Sequence, residues 1–469
     1  MSNLTVRNGR LVLPDGVRTG SITVTDGRIS AIGGHAPVTG RVVEAGGAYV
    51  LPGLIDSHVH FRTPGLTGKE EWLTGSMAAA AGGVTTVADM PNTVPPLFTP
   101  EDAYAKAELI EGRSLVDYRF HLGVHPDDPG GLRAFTPREG TTAKVFLCGH
   151  HTAPHVMRNA ERLRETFAIA REVGLRLVVH AEDSGVFALL DAWRGQPVSY
   201  REYEPARPRS GAIVAVARLI ELCQEFGTQV HVLHVSTAEE ADLLAAAGSA
   251  GLPVSFEVTG HHLSFEDRDV DRLGARIRLS PAIRGAGDRE RLWKAVTSGE
   301  AATLGSDHAP HAQADKLLPA AEAPPGLPGT QELVHSVWTG LRRRDPEGSP
   351  DDHARLIARV LADGPARLLG LTARKGRLEV GLDGDLVLFD PDENWTLDRT
   401  AVATKVGWSA YEGWTFTGRV RTTIRRGEIS YDRGVFGTPS GQWLEGAPHE
   451  FPGRGNGAAS GFQRLDQPE

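Results

Sequence analysis

The chain has 469 residues, 40% apolar and 23% charged, which fits a folded globular protein with one to three domains. A formal net charge of −9 and the lack of any Lys/Arg run argue against a nucleic-acid partner. No apolar stretch approaches a membrane span, MSNLTVRNGRLVL lacks a signal-peptide core, and Cys148 and Cys223 suggest no disulfide framework, so a cytoplasmic enzyme is expected.

Residues 1–53 alternate short β-rich runs with turns, and Asn8-Gly9 and Asp26-Gly27 read as hairpin signals. From residue 54 the style changes. Eight strand candidates follow: GLIDSHVHF, GVTTVADMP, DYRFHLGV, TAKVFLC, LRLVVHAE, QVHVLHVS, PVSFEVTG and ATLGSDHA. Helical stretches lie between them, for example 157–173, 210–226 and 237–248. Eight strand–helix units over 54–370 predict an α/β fold, a (β/α)8 TIM barrel. Strand-like runs return over 371–435 and are expected to pair with 1–53 as one small β domain, discontinuous in sequence. Residues 436–469, rich in Gly, Pro and polar residues, read as a loose tail.

The unusual polar residues fall at the C-terminal ends of the strand candidates, where such barrels keep their active sites. His58, His60 and Arg62 in LPGLIDSHVHFRTPG share one strand face. Two imidazoles there suit a zinc-like metal, and a guanidinium beside them suits a substrate carboxylate. Strand two runs out into Met90-Pro91-Asn92, strand four carries Lys144, strands five and six end at His180 and His234, and strand eight ends with Asp307, His308 and His311. Singly, each has a plainer reading. A lone histidine is more often a hydrogen-bonded structural residue, Lys144 can snorkel to the rim, and Asp307 can cap a helix. Four His, one Lys and one Asp at one barrel mouth are costly as structure, because buried charges need partners. A metal pair serves all six. An ammonium cannot itself ligate a cation. Carbamylation by carbon dioxide would turn Lys144 into an anionic bridge between metals about 3.5–4 Å apart that also share a hydroxide. Asp307 then takes the proton of that nucleophile and passes it to the leaving nitrogen.

The motifs PGLIDSHVHFR, GGVTTVADMPNT, AKVF, VVHAED, HVLHVST, GHHL, RLSPAIRGAGDRERLW and GSDHAPH resemble those of the amidohydrolase superfamily. The match is to the branch of cyclic amidases that holds dihydroorotase, allantoinase and hydantoinase, and it spans about residues 4–435. The resemblance implies a barrel plus a small β-sandwich, two zinc ions, and the ligands His58, His60, Lys144 in carbamylated form, His180, His234 and Asp307. Within the branch the motifs are most similar to the dihydroorotase family, which hydrolyses L-dihydroorotate reversibly in pyrimidine biosynthesis. That similarity implies that Arg62, Asn92 and His311 hold the substrate carboxylate, and PPGLPGTQE resembles a loop of the same family. A ring without a carboxylate would leave a buried Arg62 without an anion. Resemblance further implies a dimer or tetramer, and opens a transcarbamoylase partner as a non-catalytic alternative that the full ligand set disfavours.

Three places depart from the pattern: Gly260 in VTGHHL, Gly211 in RPRSGA, and KVFLCGHHTAPHVM after Lys144. His150, His151 and His155 in the last run are expected on a solvated loop. His121 and His125 read as core or loop residues, His261 and His262 as ligand-orienting or capping groups, and Cys148 as a small buried hydrophobe.

Overall fold

The structure, a computed structural model, describes residues 3–34, 36–149 and 151–447. Five strands open the chain: β1 (Leu4–Leu13), β2 (Gly16–Thr25), β3 (Arg28–Gly33), β4 (Arg41–Glu44) and β5 (Tyr49–Pro52). The barrel region contributes β6 (Leu54–Val59), β7 (Val84–Asp89), β8 (Asp117–Phe120), β9 (Leu122–Gly123), β10 (Thr142–Phe146), β11 (Arg176–His180), β12 (Val230–Val232), β13 (Val254–Thr259) and β14 (Thr303–Gly305). Four more close the chain: β15 (Leu386–Thr396), β16 (Thr415–Arg425), β17 (Glu428–Asp432) and β18 (Val435–Phe436).

All eight barrel candidates are strands. DYRFHLGV is broken into β8 and β9 at His121, whose ring is spent on the Thr142 hydroxyl and the Ser57 carbonyl. Each strand pairs in parallel with its sequence neighbour. The ring closes where Val59 bridges His308 and the His60 amide donates to the His308 carbonyl at 2.8 Å. Helices flank these strands as the periodicity requires. The stretch expected from 157 forms a helix only over Ala160–Val173, because the Asn159 side chain accepts from the amides of Glu161 and Arg162 and fixes the start there.

Both chain ends meet in one nine-stranded sheet, ordered β18-β17-β16-β15-β5-β1-β2-β3 with β4 on β1. Leu4, Val6, Ile22, Val24, Val50, Leu386, Leu388 and Ile424 form an apolar cluster there, separate from the barrel core. Asp26 and Gly27, both at positive φ, make the hairpin turn between β2 and β3. Asn8-Gly9 does not turn the chain. Asn8 adopts φ +56° inside β1 and the pair forms an irregularity in the ladder to β2, while the turn falls at Pro14-Asp15. Residues 436–447 are packed, not loose: Leu444 is buried, and Gln442 and Leu444 pair along Tyr118 of β8. Residues 448–469 lie outside the described part.

One buried ionic cluster ties the sheet to the barrel. Lys375 Nζ lies 2.8 Å from Asp117 at the start of β8, 2.5 Å from Asp385 and 3.3 Å from Asp383, while Arg425 of β16 lies 3.1 Å from Asp117. Burial pushes the Asp117 carboxyl up, but Lys375, Arg425 and Arg426 outweigh it and hold it low. Lys375→Met leaves Asp385 buried without its cation and should cost about 3–5 kcal/mol, read as a lower urea midpoint. A midpoint equal to that of the parent protein would remove the cluster from its anchoring role.

Candidate metal centre and active site

One cavity at the C-terminal end of the barrel is lined by His58, His60, Arg62, Lys144, His180, His234 and Asp307. All six expected ligands and one of the three expected carboxylate contacts therefore meet. His58 leaves β6 beside His60, Lys144 is in β10, His180 ends β11, His234 follows β12, and Asp307 follows β14.

The imidazoles are held from behind. Nδ1 of His58 lies 2.8 Å from Glu257 Oε1, and its Nε2 lies 3.2 Å from Asp307 Oδ1. Nδ1 of His60 meets Asn92 Oδ1 at 2.9 Å, and its Nε2 lies 3.3 Å from the same Asp307 oxygen. His180 Nε2 meets Glu182 at 2.9 Å while its Nδ1 faces His234 Nε2 at 3.0 Å. In three rings the outer nitrogen is thus bonded to a side-chain oxygen, which turns the other nitrogen toward the cavity. Burial pushes the His58 imidazolium down to about 4, and those of His60 and His234 well below their ordinary value. Neutral rings keep a lone pair for a cation.

This donor set fits a metal. Ligand atoms of His58, His234 and Asp307 all lie within 4.8 Å of one another, and the buried Nδ1 of His234 has no hydrogen-bond partner. Lys144 is 2% exposed, with its ammonium position 4.5 Å over the Phe146 ring. Burial pushes it down to about 7 although Asp307 and Glu257 oppose the shift, so much of it is a neutral amine at neutral pH.

Glu257 and Glu182 are the functional groups that sequence reasoning passed over. Burial, with Asp307 adding to it, pushes the Glu257 carboxyl up to about 8. Its Oε1 also accepts from the His234 amide at 3.1 Å, so one carboxyl orients two site residues. A Cβ at Gly305 would stand 2.3 Å from Glu257 Oε2, which explains the glycine before SDH. The available signal was a lone acid on an apolar strand, in SFEVTG.

The three carboxylate contacts separate. Arg62 is 2% exposed and its Nη1 donates to the Thr152 hydroxyl at 3.3 Å; its buried Nε has no hydrogen-bond partner. Among the described residues no carboxylate lies within ion-pair distance of it. Asn92 is committed within the protein: Oδ1 to His60, and Nδ2 to the Thr152 carbonyl at 3.0 Å. In this geometry it orients the His60 ring. His311 is buried and does not line the cavity, and its Nδ1 lies 2.8 Å from Lys69 Nζ. His151 and His155 are exposed on the loop after β10, and His150 lies outside the described residues. Cys148 lies two residues past the end of β10 and is partly exposed, not buried as expected. His262 Nδ1 bonds the Thr259 hydroxyl at 2.7 Å, a capping contact.

Residues 49–430 match the model of the amidohydrolase family. The chain is 33% identical over 449 residues to an allantoinase of Streptomyces avermitilis, covering 95% of this chain and 99% of that one. It is 31% identical over 482 residues to a dihydroorotase of Methanosarcina acetivorans, covering 100% and 98%. Among solved structures, the L-hydantoinase (dihydropyrimidinase) of Arthrobacter aurescens superposes with a TM-score of 0.88 at 29% identity, over 95% of this chain and 100% of that one. The chain belongs to the amidohydrolase family, in its cyclic amidohydrolase branch, and is a hydrolase of cyclic amides.

Glu257→Gln removes the carboxyl that holds His58 Nδ1 and keeps the shape. Zinc affinity, measured by competition with a chromogenic chelator, should fall about 10–100-fold. Unchanged affinity would show that Glu257 does not support the centre.

Proposed function

We propose that this enzyme hydrolyses a six-membered cyclic amide that carries a ring carboxylate, with L-dihydroorotate as substrate and N-carbamoyl-L-aspartate as product, the dihydroorotase reaction of pyrimidine biosynthesis. The observation that carries the reading is Arg62: a buried guanidinium on the cavity wall with an unspent Nε and no carboxylate partner. Such a charge is costly unless an anion completes it, and a substrate carboxylate is the group its planar fork matches.

The chain's own residues divide the work. His58, His60, His180, His234 and Asp307 would hold two zinc ions, together with Lys144 once its neutral amine has added carbon dioxide and lost a proton to become an anionic carbamate. The bound cations polarise the scissile carbonyl and acidify water. Asp307, whose Oδ1 faces both His58 and His60, accepts the proton of the attacking water. As the C–N bond breaks, the same carboxyl returns that proton to the ring nitrogen, so water is divided between the new carboxylate and the freed amide. Arg62 fixes the ring by its carboxylate, and Thr152 fixes Arg62. The nine-stranded sheet, with its own apolar cluster, fits the role of the small β-sandwich that accompanies the barrel.

A second reading, a ureide ring without a carboxylate as in allantoin, draws on Asn92, whose side chain is already used by His60 and Thr152. The metal-loaded enzyme should turn over L-dihydroorotate and leave allantoin and hydantoin untouched; turnover of allantoin alone would replace the first reading by the second. Arg62→Met should lower kcat/KM for dihydroorotate by about 2–5 kcal/mol, mostly through KM. An unchanged KM would refute carboxylate binding at Arg62. Asp307→Asn should lower kcat by about 100-fold or more, and a parent-like kcat would take the proton transfer away from this residue.

A further inference from the structure

A second buried guanidinium stands outside the metal cavity. Arg278 follows the short turn Gly274–Ile277 and is 8% exposed. Its guanidinium carbon lies 4.4 Å over the Tyr203 ring. Nε and Nη1 are buried with no hydrogen-bond partner, and among the described residues no carboxylate lies within ion-pair distance. The side chain borders a cavity of about 230 Å³ lined also by Tyr200, Tyr203, Glu204, Asp267 and Arg268. The acids on that wall are engaged elsewhere. Glu204 pairs with Arg284 at 2.8 Å, and Asp267 accepts from the Arg268 amide at 2.7 Å. Arg268 itself pairs with Glu266.

Stacking on Tyr203 satisfies one face of the guanidinium and leaves its in-plane donors free. A buried charge with free donors beside a cavity is incomplete without an anion. The cavity shares no lining residue with the metal cavity. The two are nevertheless adjacent: the Tyr203 hydroxyl lies 2.8 Å from Ser280 Oγ, and Ser280 lines the metal cavity.

We infer that the Arg278 cavity is a second anion site, which takes the carboxylate or phosphate group of a small molecule against the guanidinium edge with Tyr203 behind it. Through Tyr203 and Ser280 its occupant touches the wall of the active site. The anion comes from a separate ligand, since the one carboxylate of dihydroorotate is assigned to Arg62 in the metal cavity.

Thermal melts of the full-length, metal-loaded protein with inorganic phosphate, against chloride at equal ionic strength, test this. Phosphate should raise the melting temperature of the parent protein and of Arg62→Met alike. In Arg278→Met the apparent phosphate affinity should fall about tenfold or more. Without phosphate that variant should melt no lower than the parent, since it loses an unpaired buried charge; a purely structural arginine would lower the melt instead. Arg278→Lys keeps the charge but not the fork and should retain part of the response. Steady-state inhibition places the ion: phosphate non-competitive with the ring substrate marks a separate site, whereas purely competitive phosphate would put it in the metal cavity and overturn the inference. Equal phosphate responses in the parent and Arg278→Met, or none in either, would overturn the inference. Neither result bears on Arg62, whose role rests on the dihydroorotate assay.

Discussion

The centre depends on keeping imidazoles uncharged inside a barrel mouth. Desolvation is the largest cause that keeps His58, His60 and His234 neutral, with Lys144 adding to it, and neutral rings present lone pairs where charged ones would repel a cation. Neutrality does not orient a ring. Orientation comes from Glu257, Asn92 and Glu182, each of which occupies the outer nitrogen of one histidine. Loss of any of these oxygens would free a ring to turn, so the outer groups matter as much as the ligands.

Backbone strain is concentrated at the same place. Arg62, His234 and Asp307 have φ of +59°, +39° and +43°, values that side chains other than glycine rarely adopt. Each costs about 1–3 kcal/mol unless its surroundings fix it. Buried acids from neighbouring strands do the fixing. Asp89 accepts from the Phe61 amide at 2.7 Å, Glu257 from the His234 amide at 3.1 Å, and Asp56 from the Ser306 amide at 3.1 Å. Asp89 is in turn paired with Lys106 at 2.5 Å. The kinks aim the side chains across the barrel mouth, where straight strands would send them past it.

Arginines show how partner count separates roles in this fold. Arg425 is as buried as Arg62, but it meets Asp117 and Glu428 and joins sheet to barrel. Arg62 and Arg278 lack carboxylate partners within the described residues and border cavities. Burial alone does not distinguish an anchor from a binding group; a missing carboxylate together with unspent donors does.

Much of this protein is legible along the chain. Short apolar runs between helical stretches identify all eight barrel strands, and the HVHFR, KVF, VVHAED, HVLHV and GSDHAPH runs place the cavity residues at strand ends, because run length and strand termini are local properties. Asp26-Gly27 is a turn for the same local reason. Asn8-Gly9 carries the same dipeptide signal and is not a turn, since β1 finds partners on both sides that keep it extended past the pair. Glu257 behind His58, Asn92 spent on His60 and Thr152, His311 off the cavity lining, and the packing of residues 436–447 on β8 were decided only by the tertiary structure. Each is a contact between residues far apart in sequence. The register and closure of the barrel bring such pairs together, and no local pattern encodes them.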